Sequence, residues 1–291
     1  MDKLLKALAL DDQVRVYIVN NTETVNEAIK CHDLWPSSAS VLGKILTMGA
    51  LMGGMLKGDE ALTIKLLGNG QIGKVIVDAN GRGDVRGYVD NPHINFVNND
   101  GGLNDIYTLG NDGMIDVIKD LKMRDLFTSS IRLTGNIASD FTYYFHESEQ
   151  TLSLVSLGIL INTENLCDVS GGIIIQLLPN ATEEAISFLE SKMDLLNNFS
   201  NALISKELSE ILNDIFDNKF DLLEEMDTRF KCSCSKESYS RSLLTLGSKT
   251  LQELLDEDKE IDAVCHYCSK HYNFNEEELQ ALIDEAKRQG K

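Results

Sequence analysis

The sequence predicts an α+β fold in three segments: a mixed N-terminal domain over residues 1–178, an amphipathic helical linker over 179–229, and a small metal-binding domain over 230–291. Runs of short strands with few helical patterns between them favour α+β over a regularly alternating α/β sheet. Pro179 marks a change of composition, and closely spaced cysteines near the C-terminus mark a second change.

The N-terminal domain contains most of the predicted strands. Alternating or β-branched runs predict strands at 11–19, 61–67, 73–79, 83–89, 129–133, 140–146, 152–161 and 172–178, and helical periodicity predicts helices at 38–56 and 113–125. The apolar run 45–56 is twelve residues long, shorter than the ~20 residues that cross a bilayer. Its Gly49 and Gly53 therefore indicate close packing within a buried helix.

Three glycines in this domain match a dinucleotide-binding pattern. Gly68, Gly70 and Gly73 spell G-x-G-x-x-G after a predicted strand. A dinucleotide site needs these glycines to open a helix whose N-terminus receives the pyrophosphate. The residues that follow, KVIVDANGRGDVRGYVDNP, are β-branched and punctuated by glycine. We therefore expect a hairpin with flexible turns.

The net charge of the chain excludes some classes of binding partner. Acidic residues number 46 and basic residues 27, for a formal net charge of −19. Such a surface repels nucleic-acid backbones and anionic lipid, so neither nucleic acid nor a membrane is an expected partner. The start of the chain, MDKLLKALALDD, lacks a secretory pattern because Lys6 interrupts its short apolar stretch. We expect a cytoplasmic protein.

The linker has the pattern of amphipathic helices. Residues 182–231 contain no glycine or proline, and twelve acidic residues there face five basic ones. Helices of this kind gain most of their stability by packing an apolar face on another surface. The linker is an ordinary helical subdomain or a segment that detaches and exposes its apolar stripe, whose members are Ile186, Leu189, Met193, Leu196, Ile204, Leu208, Ile211, Leu212 and Ile215.

Four cysteines carry the strongest chemical signal in the chain. Cys232 and Cys234 form C-x-C, and Cys265 and Cys268 form C-x-x-C after thirty intervening residues. Two such pairs supply the four thiolates that tetrahedral zinc prefers. A site closed by four thiolates has no position for a catalytic water, so hydrolysis is not expected. The sulfurs are oxidisable, and those of C-x-C are close enough in sequence to form a tight disulfide.

The C-terminal domain also contains two histidines and a predicted terminal helix. His266 and His271 are near the cysteines and could replace one of them as a ligand. His266 lies between two ligands in the turn, where its ring should point away, so we expect a surface position for it. The terminal helix is predicted to begin at Asn275 as its N-cap and to pack through Leu279, Leu282 and Ile283. Outside the domain, we expect Cys31 and Cys167 to be small buried apolar residues.

The chain resembles the 33 kDa chaperonins, a family of redox-regulated heat-shock holdases. The similar stretches are GKVIVDANGRGDVRGYVDNP (73–92), DFTYYFHESEQ (140–150), GGIIIQLLP (171–179), FKCSCSKE (230–237) and VCHYCSKHYNF (264–274). They run through the chain, and the cysteine pattern matches without departure. The resemblance is therefore more specific than the cysteine spacing alone.

The resemblance implies a reduced, inactive form with Zn²⁺ on Cys232, Cys234, Cys265 and Cys268. It also implies an oxidised form with Cys232–Cys234 and Cys265–Cys268 disulfides, in which zinc is lost and the C-terminal domain and linker unfold. The exposed apolar surface then binds unfolding client proteins without ATP, and members often form homodimers on activation.

Two other function classes are weaker. A zinc-ribbon nucleic-acid binder accounts for the cysteines but not for the acidic charge. A thiol oxidoreductase needs a low-pKa C-x-x-C on a thioredoxin-like unit, which the flanking sequence does not provide. We therefore expect a holdase that is not an enzyme.

Overall fold

A computed structural model describes residues 1–98 and 101–290. The chain forms two compact units that divide between Lys231 and Cys232. Both units combine helices and strands, which confirms the α+β class. No helix in the described ranges is both long and apolar enough to cross a membrane.

The first unit contains strands throughout its length. Numbered in chain order, they are β1 (Lys3–Ala9), β2 (Val14–Asn20), β3 (Ala61–Gly68), β4 (Lys74–Asn80), β5 (Asp84–Val89), β6 (Gly113–Asp120), β7 (Phe127–Leu133), β8 (Ser153–Ile161), β9 (Cys167–Leu177), β10 (Phe220–Asp227) and β11 (Arg229–Phe230). They form a five-stranded sheet in the order β10-β1-β2-β9-β8 and a six-stranded sheet in the order β11-β5-β4-β3-β6-β7. All neighbours are antiparallel except β11 and β5.

Eight helices accompany these strands in the described part of the first unit. They are α1 (Thr22–His32), α2 (Pro36–Gly53), α3 (Asp105–Leu109), α4 (Ile137–Glu149), α5 (Glu183–Ser191), α6 (Met193–Asn197), α7 (Phe199–Ser205) and α8 (Leu208–Phe216). The expected helix at 38–56 is confirmed as α2.

Helix α2 is the centre of the main core. It is buried on nearly all sides and packs against strands of both sheets. A Cβ added at Gly43 would lie 2.4 Å from Ile159 of β8, and one added at Gly49 would lie 2.7 Å from Val77 of β4. The small residues therefore allow α2 to approach both sheets, as the sequence predicted for Gly49 and Gly53.

Helices α5–α8 cover the opposite face of the five-stranded sheet and form a second core. Leu212 and Phe216 of α8 are fully buried in a cluster that includes Val16 and Ile18 of β2. The predicted apolar stripe is largely buried, but Ile204 is 62% exposed and its neighbour Leu203 is buried in its place. The boundaries of the predicted linker, after residues 178 and 229, stay a prediction.

Two of the predicted elements are wrong in type. Residues 113–125 were expected to be helical, but β6 lies there and buries Ile115 and Val117 at the spacing of a strand. Residues 140–146 were expected to form a strand, but they belong to α4. In α4, Phe141, Tyr144 and Phe145 are buried at helical spacing, so tertiary packing overrides their β-propensity.

Two paired strands also depart from expectation. Residues 220–227 fall in the predicted helical linker but form β10, which pairs with β1 in the first nine residues of the chain. Neither strand was predicted. The partner of β10 is more than 200 positions away, and β1, which also pairs with β2, consists of Lys, Leu and Ala, of which Lys and Ala are depleted in strands. The hairpin at the G-x-G-x-x-G pattern is confirmed: β3 and β4 pair, and Gly73 between them has φ +73°.

The second unit is small and has its own core. Its elements are α9 (Lys236–Leu244), α10 (Gly247–Glu257), β12 (Ile261–Val264), β13 (His271–Phe274) and α11 (Glu276–Arg288). Asn275 is the N-cap of α11 as predicted and forms a capping box with Glu278, and Leu279, Leu282 and Ile283 are buried as expected. A core this small supplies little stability by itself, roughly 3–5 kcal/mol in domains of this size.

Candidate metal centre

The four cysteines lie on two turns of the second unit. Cys232 and Cys234 precede α9, whose N-cap Ser235 accepts a hydrogen bond from the Ser238 N–H. Cys265 and Cys268 lie in the turn that joins β12 to β13. The turn is closed by the Cys265 N–H, which donates to the Lys270 carbonyl at 2.9 Å, and by the Ser269 N–H, which donates to the Cys265 carbonyl at 2.8 Å.

The fold brings the four sulfurs into one cluster. All four Sγ atoms lie within 4.8 Å of one another. The Sγ atoms of Cys232 and Cys265 are 3.7 Å apart, and those of Cys234 and Cys268 are 3.4 Å apart. A regular tetrahedron with Zn–S bonds of ~2.3 Å has sulfurs ~3.8 Å apart, so the cluster has the dimensions of a tetrathiolate site.

The chemistry of the donors fits zinc better than harder cations. Thiolates select zinc and other soft metals, whereas calcium and magnesium require oxygen ligands. Cys265 is buried and the other three cysteines are half-buried, so the cluster is shielded without being sealed. The cysteines that the sequence singled out are therefore brought together and could hold one metal ion.

The two nearby histidines are not part of this cluster. His266 is exposed. The His271 ring is also exposed, and its Nδ1 lies 2.7 Å from the Asp262 carboxylate. The predicted surface position of His266 is confirmed.

Two tyrosines approach the sulfurs, and sequence reasoning missed both. The Tyr272 hydroxyl lies 2.9 Å from the Cys234 carbonyl and 3.2 Å from its Sγ. The Tyr239 hydroxyl lies 3.5 Å from the carbonyl of Val264, next to Cys265. Tyr272 precedes the buried Phe274 by two positions on β13, and this alternation marks its ring as inward-facing. Nothing comparable marks Tyr239.

Hydrogen bonds favour the thiolate form of Cys265. Burial opposes its ionisation, but bonds from the Tyr239 hydroxyl and from the backbone N–H groups of Tyr267 and Cys268 outweigh burial and lower the Cys265 pKa to about 7. In the first unit, burial instead raises the pKa of Cys167 to about 12. Cys167 is buried as predicted, whereas Cys31 is only partly buried, with its Sγ 3.8 Å from a Glu27 carboxylate oxygen.

Comparisons with known proteins agree with one another over nearly the whole chain. The family model described as Hsp33 protein matches residues 2–275. A 33 kDa chaperonin of Bacillus velezensis is 44% identical, covering 99% of this chain and 100% of the relative. The 33 kDa chaperonin of Bacillus subtilis is 41% identical with the same coverage.

A solved structure is similar as well. The crystal structure of the 33 kDa chaperonin of Thermotoga maritima, a heat shock protein 33 homolog, superposes with a TM-score of 0.91 at 30% identity and covers 98% of this chain and 99% of its own. Family model, sequence relatives and fold thus converge. The chain belongs to the Hsp33 family of 33 kDa chaperonins.

Proposed function

We propose that this protein is a redox-controlled, ATP-independent holdase of the cytoplasm, inactive when reduced and zinc-bound and active when oxidised. The observation that carries the proposal is the convergence of four thiols on one cluster in a chain of the Hsp33 family. Its action is binding rather than catalysis: the oxidised protein holds unfolding proteins and prevents their aggregation.

In the reduced form, Cys232, Cys234, Cys265 and Cys268 would hold Zn²⁺. Zinc, when bound, supplies a crosslink between two turns that are far apart in sequence. Structural zinc contributes ~10 kcal/mol or more to the folding of small domains. The hydrophobic core of the second unit is modest by comparison, so the thiolates maintain its fold only while they remain reduced.

Oxidation removes these ligands in pairs. A thiolate attacks one oxygen of a peroxide, so that an S–O bond forms, the O–O bond breaks and hydroxide leaves. A second thiolate then attacks the sulfenic sulfur, so that an S–S bond forms and the oxygen leaves as hydroxide. Each disulfide therefore consumes one peroxide and two protons, gives two waters and takes two electrons from sulfur.

We propose the pairs Cys232–Cys234 and Cys265–Cys268. The shortest sulfur contacts in the cluster join different pairs, Cys232 with Cys265 and Cys234 with Cys268. Loop closure is entropically easier over short separations. Once oxidation of the first thiolates has freed the metal and the domain opens, cysteines close in sequence meet more often than distant ones. Pairing within each motif is therefore favoured.

The linker supplies the surface that would be released. The apolar faces of α5–α8 are buried against the five-stranded sheet, and the acidic side chains of these helices lie outside. Continuity through β11 connects this segment to Cys232. Opening would expose a broad apolar stripe on a highly charged segment, which binds unfolded chains and stays soluble. Two activated chains would pair through the same kind of surface.

Light scattering tests the function directly. A chemically denatured client is diluted, without nucleotide, into buffer with the reduced zinc-bound protein or with the peroxide-oxidised protein. We expect suppression of aggregation by the oxidised form alone, and the same contrast in a Cys31→Ser control. Equal suppression by both forms would contradict redox control, and suppression by neither would contradict the holdase function.

A further inference from the structure

The second unit contains a pair of stacked tyrosines beside the cysteine cluster. The ring centroids of Tyr239 and Tyr272 are 5.1 Å apart, with an interplanar angle of 30°. The Tyr272 hydroxyl approaches the Cys234 sulfur of C-x-C, and the Tyr239 hydroxyl approaches the carbonyl of Val264, which precedes C-x-x-C. One sulfur of the cluster, that of Cys234, therefore has a phenolic hydroxyl within hydrogen-bond distance.

The Tyr272 hydroxyl has a donor role beside the Cys234 thiolate, because a deprotonated sulfur has no proton to give. The Tyr272 hydroxyl is shared between the Cys234 sulfur at 3.2 Å and the Cys234 carbonyl at 2.9 Å. The hydroxyl thus lies within hydrogen-bond distance of the sulfur whose lone pair would attack an oxidant. The bond to the carbonyl also holds the backbone of the C-x-C turn in place. The Tyr239 hydroxyl lies 3.5 Å from the Val264 carbonyl, next to Cys265.

Donated hydrogen bonds withdraw electron density from sulfur. They reduce its nucleophilicity and raise the potential at which sulfur-ligated centres are oxidised. Tyr272 is 7% exposed and Cys234 is half-buried, so the phenol lies on a sulfur that small oxidants can still reach.

We propose that Tyr272, with the Tyr239 ring stacked against it, sets the oxidant threshold of the cysteine cluster by hydrogen-bonding the Cys234 thiolate. The proposal rests on the redox function inferred above and names a regulatory part of the same site. Tyr272 is a positioning residue that acts through the Cys234 sulfur, and Tyr239 supports its ring. The step slowed is attack of the Cys234 thiolate on peroxide, in which an S–O bond forms, the O–O bond breaks and hydroxide leaves.

Phenylalanine variants isolate the hydroxyls, because they keep the stacked rings. The set is Tyr272→Phe, Tyr239→Phe and the double variant, with Tyr107→Phe as control for an exposed phenol of the first unit. At fixed peroxide, zinc release is followed with a zinc-binding dye, and loss of free thiols is followed in parallel. Thiol loss reports on the tyrosines even in protein that holds no metal.

We expect Tyr272→Phe to speed both processes about tenfold, at the lower end of the effects seen for outer hydrogen-bond partners of metal ligands. Tyr239→Phe should have a smaller effect in the same direction, and Tyr107→Phe none. In Co²⁺-substituted protein, the sulfur-to-cobalt charge-transfer band of Tyr272→Phe should move to longer wavelength, because the sulfur electrons lose a stabilising proton donor.

Two results would overturn the proposal. One is a Tyr272→Phe rate within twofold of the unmodified protein. The other is an acceleration that appears equally when a chelator alone, without peroxide, removes the metal, since that would indicate general loosening of the turn. Neither result bears on whether the oxidised protein holds clients, so failure here is separable from failure of the proposed function.

Discussion

The sulfur atoms of Cys234 and Cys268 lie 3.4 Å apart although thirty-four positions separate the two residues in the chain. Helices α9 and α10 and strand β12 fill the intervening sequence and fold back to bring the two turns together. Together with Cys232 and Cys265, Cys234 and Cys268 form a cluster that could hold one metal ion, in a unit whose own hydrophobic core is small.

Replacement of Cys265 tests the ligand set. Cys265→Ser removes the most buried sulfur, and we expect zinc content to fall well below one ion per chain, as measured by atomic absorption. Cys31→Ser removes a thiol outside the cluster and should keep full zinc. A Cys265→Ser protein that retained stoichiometric zinc through His266 or His271 would contradict the tetrathiolate assignment.

Mapping of the disulfides tests the proposed pairing. After peroxide treatment with mild heat, proteolysis and mass spectrometry should recover Cys232–Cys234 and Cys265–Cys268 within single peptides. If Cys232–Cys265 and Cys234–Cys268 were recovered instead, the disulfides would have closed within the folded cluster. In that case, oxidation would not depend on opening of the domain.

Leu212→Asp tests whether release of the linker is the activating event. Leu212 is 0% exposed in the second core, so an aspartate there places an unpaired charge in apolar surroundings, at a cost of about 3–5 kcal/mol. We expect loss of hydrogen-exchange protection across α5–α8 and suppression of client aggregation with all four thiols still reduced.

The matched control for Leu212→Asp is Leu223→Asp in the same segment, because Leu223 is 59% exposed. This variant should keep both protection and redox dependence. A Leu212→Asp protein with an unprotected linker and no holdase activity would show that activation requires something other than linker release.

Asp84 stabilises the strand that precedes Cys232. Its carboxylate accepts from Arg229 Nε at 2.8 Å and from Lys231 Nζ at 3.1 Å. Burial alone would raise the Asp84 pKa, but bonds from Arg229, Lys231 and Asn80 outweigh burial and lower it below 3.8. The ion pairs of Asp84 therefore contribute fully to the free energy of unfolding above about pH 4, near the pKa of an unfolded aspartate. This contribution is lost as the pH falls through the lowered Asp84 pKa of the folded state.

Asp84→Asn should abolish this pH dependence and speed exchange of the Arg229 and Lys231 amides, which donate to the Gly83 and Val85 carbonyls. The expected cost is about 1 kcal/mol, because the two cationic partners are half exposed and screened by solvent. Asp59→Asn, which breaks an exposed ion pair with Arg82, is the control and should leave those amides unchanged. Equal exchange in both variants would rule out this role for Asp84.

The sequence predicted correctly those elements whose structure is determined by residues within the same segment. Helix α2, the β3–β4 hairpin and the capped helix α11 have their signals within the segment itself, in a buried apolar run, a glycine turn and a capping box. Strand β10 does not, since its partner β1 is more than 200 positions away. Strand β1 pairs with its neighbour β2 as well, but its Lys, Leu and Ala residues give no strand signal. Helix α4 was missed because its aromatic residues favour strands until the core selects their helical spacing.

The candidate site likewise has a part that the sequence predicted and a part that it did not. Cysteine spacing predicted which sulfurs belong together, and the folded chain places them within 4.8 Å. Tyr239 was not predictable, because its hydroxyl reaches the Val264 carbonyl beside Cys265 only after α9 packs beside the β12–β13 hairpin. Hydrogen bonds of this kind depend on tertiary contacts that residue types alone do not specify.

A single peroxide titration tests redox control most directly. On the same samples, released zinc, remaining thiols and suppression of client aggregation are measured at each peroxide concentration. We expect the three to change together, with one zinc released as four thiols are lost and activity appearing over the same range. Full activity with zinc retained and four thiols intact, or no activity after complete zinc release and disulfide formation, would contradict control of this chaperone by Cys232, Cys234, Cys265 and Cys268.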